Sequence, residues 1–185
     1  MLNSEAGAGP DQYAYVRNTN VQWDRFDLND LATMHFGIKD LQRCGLRPGD
    51  LLVCEGGEVG RCAVWQDEME NCYFQKAIHR VRPRAGANSR YLMYCLRAAA
   101  KHGVFSVEGN LSTIVHLTGE QLRSHRFPWP DDEEQREIVT HLDSAGRRTQ
   151  RIITKLSRQV GLLVERRQAL ITAAVTGELE IPTAS

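Results

Sequence analysis

Residues 131–176, DDEEQREIVTHLDSAGRRTQRIITKLSRQVGLLVERRQALITAAVT, decide the fold. Asp131 follows Phe127-Pro128-Trp129-Pro130 and is a residue type that caps helix N-termini; Glu134, three positions on, completes a capping-box pattern. The acids of the first turn suit the positive end of a helix dipole, and no proline follows until Pro182. Apolar residues fall at Ile138 or Val139, Leu142, Ala145, Ile153, Leu156, Val160, Leu163, Leu170 and Ala174, in steps of three and four that make a heptad-like seam. A continuous helix from 133 to 176 would be about 65 Å long, and it cannot bury such a stripe alone. The spacing therefore predicts a coiled coil, parallel or antiparallel, with a partner chain or with a missing half of the same polypeptide. Folding back onto its own domain is the alternative. Gly146 and Gly161 weaken the seam, and Gly177 supplies a C-cap.

The proline pair before this helix marks a domain boundary. Residues 1–12, with Gly7, Gly9 and Pro10, read as a flexible start; residues 13–130 read as one domain, 131–177 as the long helix and 178–185 as a tail. Within the domain, 13–23 alternates like a strand, and 28–34 resembles a short helix capped at Asp27. A Pro-Gly turn (LRPGD, 46–50) feeds a strand at 51–54, the turn EGGEVG (55–60) a second at 61–65, and 73–81 reads as a third, together a β meander. Residues 90–101 carry apolar side chains at helical spacing and would close over the sheet. The stretch GNLSTIVHL (109–117) reads as a turn and a strand, and 117–123 as a helical turn. The fold class is thus α+β: a β-rich domain with short helices, followed by one long coiled-coil helix.

No apolar run approaches the ~20 residues that cross a bilayer. The N-terminus shows no basic and apolar leader, so a cytoplasmic location is expected. Five cysteines without a C-x-x-C pair, mostly inside apolar runs, read as reduced core thiols. Net charge is zero, with 23 basic and 23 acidic residues, but the charges are segregated. Residues 1–70 hold twelve acids and six bases, whereas 71–107 hold no acid and seven bases: Lys76, Arg80, Arg82, Arg84, Arg90, Arg97 and Lys101. Such a stripe suits phosphate neutralisation; a solvated basic face is the bland reading.

Nothing in the chain supports a chemical step. The glycine-rich EGGEVGR lacks the lysine and hydroxyl of a phosphate-binding P-loop, and no G-x-G-x-x-G follows a strand, so no cofactor is expected. Asp50 and Glu55 are followed by Gly56 and Gly57 where a nuclease would want a lysine. The six histidines show no ligand spacing, so no metal is expected either.

Five blocks in order, YVRNTNVQWDRFDLNDL (15–31), LRPGDLLVCEGGEVGRCAVW (46–65), CYFQKAIHRVRP (72–83), GNLSTIVHLTGEQLRSHRFPWPDDEEQREIVTHLD (109–143) and ERRQALITAAVTGELEI (165–181), resemble the specificity subunit of type I restriction-modification systems. The resemblance implies a target recognition domain followed by a conserved-region helix, in a non-catalytic subunit that positions modification and restriction subunits on double-stranded DNA. Members of that family usually carry two such units in tandem; this chain carries one, and lacks the segment that commonly leads into the first strand. It is a fragment or a half-subunit that would read half of a bipartite target, and two copies pairing through their helices would read a palindrome. A small nuclease and a coiled-coil protein with no DNA role are the competing readings.

Base edges are read by side chains that form paired hydrogen bonds, while cations on phosphates fix the register. Polar residues in turns are the candidates for bases: Arg17, Asn18 and Asn20; Arg61; Gln75 and Lys76; Asn110, Ser112 and Thr113. Arg80, Arg82, Arg84 and Arg90 are the phosphate candidates, and Leu142, Ile153, Leu156, Val160, Leu163 and Leu170 the helix-pairing residues. Turn chemistry and capping are the bland alternative for the polar set.

Overall fold

The structure, a computed structural model, describes residues 12–84, 86–105 and 116–179. Two compact units divide at Ile138 and Val139.

In the first unit the strands are β1 (Gln12–Val16), β2 (Val21–Gln22), β3 (Arg25–Phe26), β4 (Ala32–His35), β5 (Leu51–Cys54), β6 (Cys62–Val64), β7 (Tyr73–Phe74) and β8 (Ile78–Val81). The helices are α1 (Ile38–Cys44), α2 (Ser89–Lys101) and α3 (Gly119–Ser124). The β5 run Leu-Leu-Val-Cys is apolar without alternation because both its faces are covered. Leu51 and Val53 join Cys62, Val64 and, from α2, Met93, Leu96 and Ala99 in one core cluster. Leu52 and Cys54 point to the other face, into a second cluster with Val16, Val21, Ala63, Trp65 and Ile78. A one-residue slip of β5 would exchange the two sets, so this strand fixes the register of the sheet. The five cysteines are unpaired, and all but Cys95 are buried.

The expected meander is replaced by three small sheets. β5 is central in the order β6-β5-β8, antiparallel throughout; β1 is central in β4-β1-β7, with β7 parallel to it; β2 and β3 form a hairpin. The stretch 73–81 is two strands, because β7 pairs with β1 and β8 with β5. The break between them is a turn closed by Ile78 N–H donating to the Gln75 carbonyl.

The short helix expected at 28–34 is instead the strand β4. Asp27 accepts from the Asn29 backbone and side chain in a local turn, and 32–35 pair antiparallel with β1, alternating half-buried and exposed. Here local helix signals lose to cross-strand pairing. Likewise the strand expected over 13–23 is broken by a 3-10 turn at Asn18–Asn20.

α4 (Asp132–Thr176) is one helix of 45 residues, about 67 Å long. Asp131 Oδ1 accepts from the Glu133 and Glu134 N–H groups, which makes the N-cap half of the expected capping box. Gln135, 1% exposed, donates to the Pro130 carbonyl and accepts from Asn88 N–H, tying this first turn to the N-cap residue of α2. The second unit is the remainder of α4 with the C-terminal residues, and Gly177 ends the helix with φ +79°. Ile153, Leu156, Val160, Leu163 and Leu170 are all exposed, and Leu142 is half-buried. No helix among the described residues is long and apolar enough to cross a membrane.

Candidate nucleic-acid interface

The glycine turn after β5 gathers four of the polar candidates. Gly57 and Gly60 adopt φ +71° and +80°, which a residue with a side chain rarely does. Asn18 donates from Nδ2 to the Gly56 carbonyl at 2.8 Å, and Arg61 donates to the Asn18 carbonyl at 3.0 Å while pairing with Glu58 at 3.5 Å. Beside them Arg17 donates to the Asp30 carbonyl and carboxylate. Asn20, 3% exposed, donates to the Asp27 and Asp30 carbonyls and accepts from Arg17 N–H. Its amide is thus engaged at both ends in holding the turn. Arg17 Nε, Asn18 Oδ1 and Arg61 Nε are buried without a partner among the described residues, so the same hub holds unused hydrogen-bonding capacity. Asn110, Ser112 and Thr113 lie outside the described residues.

The basic stripe resolves into committed and exposed cations. Asp50, 1% exposed, receives both Arg82 Nε and Nη2; the hydrogen bonds to this carboxylate raise the Arg82 pKa. Arg80 donates to the Gly45 carbonyl and stacks over the Phe74 ring at 5.2 Å. Desolvation lowers its pKa. Arg90 pairs with Asp24 across the sequence at 2.9 Å and lies over Tyr94. Arg97 lies over the Trp23 ring, whose Nε1 donates to Glu58. Lys76, in the turn between β7 and β8, and Arg84 are exposed and make no ion pair among the described residues; Gln75, beside Lys76, is half-buried.

Sequence reasoning missed the acids that answer these arginines. Asp24, Asp30, Asp50 and Glu58 all come from the acid-rich first 70 residues, and Arg82 and Arg90 from the acid-free stretch. The segregation of charge along the chain is in part the two sides of one set of ion pairs. It was visible as a signal but not as a pairing, because sequence does not say which halves meet. Gln135 carried no signal at all, standing in a run of charged residues.

Among curated proteins none matches the chain. Solved structures resemble it, two among them being of type I systems. One is a chain from work on complex assembly and conformational transition of the type I R-M system, with a TM-score of 0.72 and 21% identity over 96% of this chain and 40% of that one. The other is the HsdS subunit from Thermoanaerobacter tengcongensis, with a TM-score of 0.61 and 16% identity over 94% of this chain and 45% of that one. At such identities the likeness is one of fold, and this chain spans less than half the length of either. The family model described as the type I restriction modification DNA specificity domain matches residues 27–161, from β4's approach through most of α4. By that match over most of its length, the chain belongs to the family of type I restriction modification DNA specificity domains.

Proposed function

We propose that this chain is a non-catalytic, cytoplasmic DNA-recognition subunit of a type I restriction-modification complex, contributing one recognition domain and one pairing helix. Its unit would read half of a bipartite target and dock the modification subunit, and through it the restriction subunit. The observation that carries this reading is the specificity-domain match over 27–161 in a chain that spans 40% and 45% of two structurally similar chains, one unit where they have length for two. The exposed seam of α4 supports pairing with a second helix, that of a second copy where the chain is a natural half-subunit, since five large apolar side chains along the helix are otherwise left in water.

Within the recognition domain, the hub of Arg17, Asn18 and Arg61, together with Gln75, is proposed to face base edges. Lys76 and Arg84 are proposed as the first phosphate contacts, and Arg80, Arg82, Arg90 and Asn20 as the frame that holds them. Paired hydrogen bonds to a base discriminate by ~1–3 kcal/mol. Asn18→Ala should therefore relax one target position, whereas Arg84→Gln should weaken binding to all sequences alike.

The deciding experiment is co-purification of the chain with a type I modification subunit, with sequencing of the DNA that the complex methylates. A complex that methylates a split palindrome is the expected result. Failure to form a complex, or methylation without sequence preference, would overturn the reading.

A further inference from the structure

Positive charge is concentrated where sequence recognition is not. Residues 1–138 hold 19 acids and 16 bases, so the first unit is net negative by three; residues 139–185 hold 4 acids and 7 bases, net positive by three. The excess comes from one stretch of α4. Between Asp143 and Glu165 lie Arg147, Arg148, Arg151, Lys155 and Arg158 with no acid among them. All five are exposed, and none makes an ion pair among the described residues. At 3.6 residues per turn they lie ~100–180° round the helix from the apolar seam. A partner helix that buries Ile153, Leu156, Val160 and Leu163 therefore leaves the basic face in water.

We infer that this basic face of α4 is a second, sequence-independent DNA contact, meeting the phosphates of one strand. This rests on the reading of the chain as a DNA-recognition subunit. Arg147, Arg151, Lys155 and Arg158 succeed each other by four, four and three residues, a row rising about 16 Å along the helix. One DNA strand presents a phosphate about every 3.4 Å of axis while winding round the duplex, so a straight row of this length can reach a few phosphates of one backbone. A recognition unit that is net negative, and in which Arg17, Arg43, Arg61, Arg82 and Arg90 are already answered by internal acids, gains from such a contribution. Bringing it to a polyanion otherwise costs repulsion, which the helix offsets.

The test uses the full chain and a labelled 30-base-pair duplex of random sequence, with affinity measured against sodium chloride. Wild type should lose affinity steeply with salt. The variant R147Q/R151Q/K155Q/R158Q should flatten the slope of log K against log salt by roughly two to four units, at about 0.9 per phosphate, and bind about tenfold or more weakly at 0.1 M. A control removing the same charge from the first unit, R25Q/K39Q/R47Q/R123Q, should move the slope by less than about one unit. Circular dichroism establishes that both retain wild-type helicity. An unchanged slope in the helix variant, or an equal change in the control, overturns the inference while leaving the parent reading intact. So does loss of the modification subunit without a change in slope, which would mark the face as a protein contact. Absence of DNA binding by the wild type overturns both.

Discussion

Arg82 donates to both oxygens of Asp50, Nε to Oδ1 and Nη2 to Oδ2, each at 2.6 Å, and Asp50 also accepts from the Arg47 backbone. The carboxylate stands immediately before the central strand β5 and the guanidinium immediately after β8, so the pair clamps the ends of two antiparallel neighbours.

Asp50→Ala is expected to cost about 3 kcal/mol, because it leaves a guanidinium without its partner and a backbone N–H without its acceptor. Arg82→Gln, at a side chain that is one-third exposed, should cost about 1–2 kcal/mol. Urea unfolding reads both. If Asp50→Ala proved as stable as wild type, the pair would be ornamental.

Stability is expected to fall on the alkaline side. Burial pushes the Cys72 thiol up to about 11, from an ordinary value of 9.0. Cys54, Cys62 and Cys95 are raised for the same reason. A raised pKa means that the folded state holds the proton more firmly. The contribution is complete below pH 9 and is lost as pH climbs toward 11, by about 2–3 kcal/mol for Cys72. Urea midpoints at pH 8 and pH 10 read about half of it, roughly 1.3 kcal/mol, and Cys72→Ala should make the decline shallower. An identical decline in that variant would mean that other groups govern it.

Gly60 combines a left-handed backbone, φ +80°, with a ring: a Cβ there would come 2.5 Å from Phe105. Gly60→Ala should cost about 2–3 kcal/mol, part backbone strain and part overpacking. Gly60→Ala/Phe105→Leu should recover the packing part only, relative to Phe105→Leu alone. Thermal unfolding of the four proteins closes the cycle, and simple additivity would contradict the contact.

Features with a period were legible in the sequence, and features that depend on which distant segments meet were not. The heptad steps announced α4, and the apolar spacing of 90–101 announced α2, because a helix writes its exposed and buried faces into neighbouring residues. Asp27 and Leu28–Met34 misled, since the same capping chemistry serves a two-residue turn, and only pairing with β1 decides for a strand. The candidate interface was legible as a charge pattern and no further. The arginines of the stripe were recognised, but their acids lie 32 and 66 residues away in the cases of Asp50 and Asp24. Asn20 looked like a reader because asparagine in a turn has the chemistry for either task, and burial separates the two.

The seam of α4 makes the sharpest demand on solution behaviour. Leu156 and Leu163 are 54% and 63% exposed, so nothing within their own chain depends on their being apolar. Leu156→Glu/Leu163→Glu should therefore leave the urea stability of the first unit as it is, to within about 0.5 kcal/mol as for other exposed positions. The same pair placed opposite itself across a two-fold axis sets like charges in an apolar interface, so self-association should be lost. Sedimentation equilibrium at micromolar concentrations distinguishes the outcomes: a wild-type dimer and a monomeric variant are expected. A wild type that sediments as a monomer would leave the seam to a different chain, and a variant that still dimerises would put the two-fold contact elsewhere.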